Sequence, residues 1–321
     1  MSKLKFFALF CIGCLIASCS DNKIDNNPAA QLKVQGSALL NEKGDTVVLR
    51  GVSLGWHNWW PLFYDSETVK WLKKDWHINL IRAAIGVEPD GAYLRNPPFA
   101  KECLYKVVDA ALSEDLYVII DWHAHEIHTS EAQYFFTQVA EKYKDNPKVI
   151  YEIFNEPTDK CSWEEVKQYS IEVIKTIRAI DPDNLILLGN PHWDQDLDKV
   201  AADPITGFKN IMYTLHFYAA THKQYLRTRA DQAIAKGIPI FVSECAGMEA
   251  TGDGPINYNE WQAWLEWMEQ HKISWAVWSV TNKAETCSMI TPDNQKKAEW
   301  TDNDLTEWGL IIKNCLQKIY P

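Results

Sequence analysis

The sequence predicts an α/β fold, a single-domain (β/α)8 barrel, on three observations. Eight short, β-rich apolar runs recur along the chain, with amphipathic stretches of helical spacing between them. The runs are near-continuously apolar, as strands covered on both faces are. Eight strand–helix units in roughly 280 residues is the size of such a barrel.

In chain order, residues 1–18 read as an export signal. Lys3 and Lys5 form a basic start, and the apolar run that follows, 6–16, is too short to span a bilayer. Leu15-Ile16-Ala17-Ser18-Cys19 resembles a bacterial lipoprotein signal, in which Cys19 becomes the lipidated N-terminus. The expected location is therefore the bacterial cell envelope, at the outer membrane or cell surface, with the membrane reached through the lipid on Cys19. Residues 19–31 are polar and aperiodic and read as a flexible tether.

The domain proper is expected over 32–321. It opens with a β-hairpin, LKVQGSALL and TVVLRGVSLG around the turn Glu42-Lys43-Gly44-Asp45, whose second arm runs on as the first barrel strand. The other strands are expected at 78–86, 116–123, 149–156, 185–190, 211–218, 239–244 and 273–280, with helices such as 164–180, 257–271 and 304–319 between and after them. A doubly wound sheet is the alternative, but no Gly-rich phosphate loop follows the first strand.

Composition narrows the function. The 43 acidic and 32 basic side chains give a net charge of −11, without a basic cluster in the mature part, which argues against nucleic-acid binding. Fifteen Trp exceed what a core requires, and a groove stacking indoles on sugar faces accounts for the surplus. Outside the signal, Cys103, Cys161, Cys245, Cys287 and Cys315 are odd in number and lack a CxxC pair. That opposes a disulfide framework or zinc knuckle, and free thiols are expected.

Polar residues at the C-terminal ends of barrel strands face substrate. Those ends hold Arg82 (strand two), Asp121, His123 and His125 (three), Asn155 and Glu156 (four), His216 and Tyr218 (six), Ser243 and Glu244 (seven) and Trp278 (eight). Strands four and seven face each other across the mouth, so Glu156 and Glu244 can flank one bond. Glycoside cleavage needs that pair, one carboxyl protonated and one ionised. Arg82 and the Tyr218 hydroxyl are expected to stabilise charge on Glu244, and Glu156 to hold its proton against that charge.

With VIYEIFNEPT at strand four, the chain resembles glycoside hydrolase family 5, and Arg82, His123, Asn155, Glu156, His216, Tyr218, Glu244 and Trp278 fall in order at the strand ends where that family keeps its active site. The resemblance spans about 32–319. It implies a retaining endo-β-1,4-glucanase without cofactor or metal, acting as a monomer on a β-glucan polysaccharide or oligosaccharide. Glu156 is then the acid/base and Glu244 the nucleophile. Asn155 meets the 2-hydroxyl, His216 lies beside the acid/base, and Trp278 floors the sugar under attack. Trp59 and Trp193 become platforms on the two sides of the cut. Lys283 and Glu285, in WSVTNKAE, look like the pair that bacterial cellulases set two sugars away, favouring unbranched β-1,4-glucan over mannan, xyloglucan or lichenan. Relatives carry a His where this chain has Gly55, so either His57 takes over the sugar contact by a different backbone path or that contact is missing.

Three rival readings compete with this one. Gly51-Val52-Ser53-Leu54-Gly55 fits GxSxG, but too early in the domain for a nucleophile elbow. Asp121, His123, His125 and His128 suggest a metal-dependent barrel hydrolase, although no further ligands are evident. A glycan-binding lipoprotein without activity would not need both glutamates and their partners.

Overall fold

The computed structural model describes residues 24–25 and 31–319. Cys19, the segment 1–18 and most of 19–31 lie outside the described residues. Eight parallel strands close into a barrel in sequence order: β1 Arg50–Leu54, β2 Leu80–Gly86, β3 Tyr117–His123, β4 Val149–Glu152, β5 Ile186–Leu188, β6 Ile211–Tyr218, β7 Ile240–Ala246 and β8 Trp275–Val280. The helices α1 Ser66–Trp76, α2 Pro97–Ser113, α3 Thr129–Tyr143, α4 Trp163–Arg178, α5 Leu197–Ala202, α6 Gln224–Ala235, α7 Tyr258–His271 and α8 Glu307–Ile319 wrap it. Among the described residues no helix is long and apolar enough to cross a membrane.

Strand alternation sorts the interior into storeys. Leu80, Ile119, Ile150, Leu187, Met212 and Phe241 pack together at the base. Two residues further along each strand, a rise of about 6–7 Å, stand Arg82, Asp121, Glu152, Thr214 and Ser243, all buried. One more step reaches His123 and His216 at the mouth. The intervening residues, such as Ile81, Val118, Tyr151 and Val242, point outward into the helix layer.

The hairpin differs from its expected form. LKVQGSALL is not one arm, because Gly36 turns the chain at φ +60° and Lys33–Gln35 folds back on Ala38–Leu40. Leu40 then pairs with Thr46 across a loop in which the Asn41 side chain accepts from Lys43 N and Asp45 N. Leu32, Leu39 and Val47 rest on the basal storey, so this small sheet closes the bottom of the barrel. Ile24–Asp25, within the stretch read as a tether, pairs in parallel with Thr46–Val47.

Strand four ends earlier than 149–156. Beyond Glu152 the backbone stays tied, with Ile153 N donating to Leu187 O, Asn155 N to Trp122 O and Glu156 N to Ala124 O. Asn155 and Glu156 therefore sit on a short arm braced by both neighbouring strands. The GxSxG segment is β1 itself rather than an elbow, with Ser53 buried inside the barrel. All five described cysteines are free thiols.

Candidate active site

Arg82 stands at the centre of the polar storey, fully buried. Its Nε donates to Glu152 Oε2 (2.7 Å), Nη2 to Asn155 Oδ1 (2.7 Å) and Nη1 to Glu244 Oε2 (3.0 Å), while Asp121 Oδ2 lies 2.9 Å from Nη2. Burial opposes a charge there, but Asp121, Glu152 and Glu244 outweigh it and keep the guanidinium charged.

A bulge aims the next residues. Thr214 pairs with Phe241 and His216 with Glu244, so β7 holds one residue more than β6 over this stretch. Consecutive Ser243 and Glu244 therefore both face the site. Glu244 Oε1 accepts from the Tyr218 hydroxyl (2.7 Å), and the Ser243 hydroxyl donates to Glu152 Oε1 (2.7 Å).

His216 Nε2 lies 2.9 Å from Ser243 Oγ, 3.3 Å from Asp194 Oδ2 and 3.7 Å from Glu152 Oε1. Ser243 gives its only proton to Glu152, so Nε2 is the donor to Ser243. His216 Nδ1 and Glu156 Oε1, 2.9 Å apart, then share one proton between them. Asp194 reaches His216 from an unusual turn: His192, Trp193 and Asp194 all have left-handed φ, at 54°, 54° and 60°. Each costs about 1–2 kcal/mol for a residue with a Cβ. The turn is secured by Thr214 Oγ1 and Asn190 N, which donate to Asp194 at 2.6 and 2.7 Å. It leaves Trp193 40 % exposed while Asp194 is buried.

The electrostatics of the site reverse one expectation. Burial, then the charge of Glu156, pushes Glu244 up, and His216, Arg82 and Tyr218 do not overcome them. Arg82 divides its charge among Glu152, Asp121 and Glu244, so Glu244 receives only a share. Burial also raises Glu156, but the imidazoles of His125 and His216 outweigh it and hold its carboxyl below the usual range. His216 itself is held well above its ordinary value, burial being overcome by Asp194, Glu152 and Glu156.

The cleft has two lobes that meet at Glu156 and Tyr218. One, about 270 Å³, is lined by Trp56, Trp59, Trp60, His123, Glu244 and Trp278 together with Lys283 and Glu285. The other, about 560 Å³, is lined by Trp193, Gln195, His216 and His222. Five of the fifteen Trp thus face the cleft, and most of the rest are core. Trp278 stacks on His123 (5.3 Å, 9°), whose Nδ1 lies 2.6 Å from Asp121. Among the described residues, Asn155 Nδ2 is buried without a partner. Lys283 and Glu285 form an ion pair.

His57 must be corrected. It is fully buried, its Nδ1 accepts from Gly86 N, burial lowers its pKa to about 4, and it lines neither lobe. Trp56 points into the groove instead, stacked on Trp59 (4.8 Å) and His125 (5.6 Å). Gly55 explains why a His is missing there: a Cβ would lie 2.2 Å from Thr281 Cγ2. A side chain on Gly86 would likewise meet the Trp56 ring at 2.6 Å.

The suspected metal ligands do not converge. Asp121 serves Arg82 and His123, and His128 faces Glu88. Among the described residues, the His, Cys and carboxylate group close enough to hold an ion is Glu156, His216 and Glu244, whose nearest ligand atoms lie within 4.8 Å of one another. The sequence reading missed Trp56, Glu152 and Asp194. Glu152 had a signal, a charge two residues beyond Ile150 in an otherwise apolar run, whereas three non-Gly left-handed residues have none.

Residues 40–284 match the family described as cellulase (glycosyl hydrolase family 5). Endoglucanase Z of Dickeya dadantii is 45% identical over 273 residues, 83% of this chain and 62% of that protein. An endoglucanase of Clostridium saccharobutylicum is 39% identical over 292 residues, 89% of this chain and 65% of that one. The chain thus spans under two thirds of the length of these relatives. A solved structure from Cytophaga hutchinsonii superposes with a TM-score of 0.88 at 43% identity, covering 90% of this chain and 95% of that one. The catalytic domain of Thermobifida fusca endoglucanase Cel5A, also solved as a variant with cellotetraose, gives 0.85 at 29%, covering 89% and 97%. Barrel, paired glutamates and sequence agree, and the chain belongs to glycoside hydrolase family 5, the cellulases.

Proposed function

We propose that this protein is a retaining endo-β-1,4-glucanase, with Glu244 as nucleophile and Glu156 as acid/base. The observation that carries this reading is the pair itself: carboxylate oxygens of Glu156 and Glu244 approach within 4.8 Å across the barrel mouth. Double displacement uses carboxyls about 5–5.5 Å apart, whereas inversion needs about 6.5–9.5 Å to seat a water. Endoglucanase relatives and the cellotetraose-bound neighbour support β-1,4-glucan as substrate. The indole-lined lobe that also holds Lys283 and Glu285 supports an unbranched chain.

The shared proton supplies the acid. Sugar filling the cleft excludes water, which disfavours the ion pair of Glu156 carboxylate and His216 imidazolium relative to carboxylic acid beside neutral imidazole. Moving the proton onto Glu156 also removes the charge that raises Glu244, so the same transfer leaves the nucleophile ionised. Glu244 then attacks the anomeric carbon as Glu156 protonates the departing oxygen. In the second step Glu156 takes a proton from water as the water oxygen bonds to the anomeric carbon, the ester bond to Glu244 breaks, and the sugar leaves with the Glu244 carboxylate restored. Asn155 Nδ2 is free to donate to the 2-hydroxyl, and Trp278 floors the sugar.

Reducing-end release across carboxymethyl-cellulose, lichenan, xyloglucan and mannan tests the substrate, with the β-1,4-glucan expected to lead and mannan in that place overturning it. Early NMR of the products should show retained anomeric configuration, and inversion would reject the mechanism. The export reading also stands as a proposal: labelled fatty acid should enter the full-length chain in its bacterial host and be absent from Cys19→Ala.

A further inference from the structure

His125 lies on the loop after β3, one third exposed, on the wall common to both lobes. Its Nε2 is 3.4 Å from Glu156 Oε2, the oxygen that His216 does not reach. The loop is pinned from below. Glu88 Oε1, beyond β2, accepts from His125 N (2.9 Å) and Glu126 N (3.1 Å) and lies 3.4 Å from His128 Nε2. The ring also lies flat on Trp56, at 11°. Backbone anchor, stacking partner and carboxylate together fix this imidazole.

We propose that His125 is a positioning residue for Glu156, a second imidazole that holds its outer oxygen and sets how firmly the Glu156–His216 pair keeps its shared proton. The inference rests on reading Glu156 as the acid/base. The groups facing His125 are Glu156 from the arm beyond β4, Glu88 from beyond β2, Glu244 from β7 and His123 from β3, with His216 across Glu156. Burial opposes a charge on His125, but Glu156, Glu88 and Glu244 outweigh it, so its pKa sits above the ordinary value. A cation there makes Glu156 the stronger acid in the first step and the weaker base in the second. Without it, the pair holds its proton to higher pH.

The test is the pH dependence of kcat/KM on a soluble β-1,4-glucan for the full chain, His125→Leu and His125→Gln. The alkaline limb should move up by about 1 pH unit in His125→Leu, the low end for losing an opposite charge at this range. It should move less in His125→Gln, which keeps a neutral N–H donor. An alkaline limb unmoved in His125→Leu, with its thermal midpoint intact, overturns the proposal. If that variant does not fold, a limb unmoved in His125→Gln does so. The underlying reading fails separately: Glu156→Ala equally slow on activated aryl glycosides and on glucan would remove Glu156 as the acid, whatever His125 does.

Discussion

In the lobe that holds Glu244, about 270 Å³, Trp56, Trp59 and Trp278 offer indole surface beside the Lys283–Glu285 ion pair. In the other lobe, about 560 Å³, Trp193 stands beside Gln195 and His222. The smaller lobe is the more aromatic of the two. Binding energy gathered on one side of the bond can be used to hold the reacting sugar while the other product leaves.

The largest test acts at the boundary. Glu244→Gln should lower reducing-sugar release by about 10⁴-fold or more whichever lobe a substrate fills. Glu156→Ala should cost about 10²–10⁴-fold on glucan but spare the first step with aryl leaving groups. Beneath both lobes, Arg82→Leu leaves Asp121, Glu152 and Glu244 buried without their cation. A loss of about 3–5 kcal/mol in urea unfolding is expected. Stability near wild type would show that those carboxyls protonate at little cost.

The lobes separate in the next pair. Trp59→Ala should raise KM about 10-fold with little change in kcat, while Trp193→Ala should change KM by only about 3-fold. Equal effects would erase the distinction drawn above. The smallest shift belongs to the neutral histidines near each lobe, His57 and His222, whose burial lowers both to about 4. A base whose folded pKa lies below its unfolded value of 6.5 takes its proton first in the unfolded chain. Stability is therefore full above about 6.5 and drains as pH falls toward 4. Thermal midpoints of His57→Gln should decline less over that window than those of the wild type.

The strand ends were legible because each apolar run closes on polar residues, which is where Glu156 and Glu244 stood out. Alternation alone does not place them, since β4 stops at Glu152 and Glu244 faces the site through a bulge. What one strand could not reveal was how Arg82 is shared among three carboxylates, since that depends on β2, β3, β4 and β7 meeting. The expectation for His57 went astray because chemistry favoured an imidazole, while the backbone leaving Gly55 turned it inward and put Trp56 on the groove. Asp194 was hidden by a conformation that no local propensity predicts.

That turn has an engineering consequence. Trp193 and Asp194 are consecutive, one lining the larger lobe and the other 3.3 Å from His216. Redesigning the platform therefore detunes the imidazole that stores the acid's proton. Lys283, half-exposed in the smaller lobe, pairs with Glu285 and, among the described residues, is in no ion pair with Glu156 or His216. New substrate preferences are best grafted at that pair, where recognition can be rewritten while the chemistry is left alone.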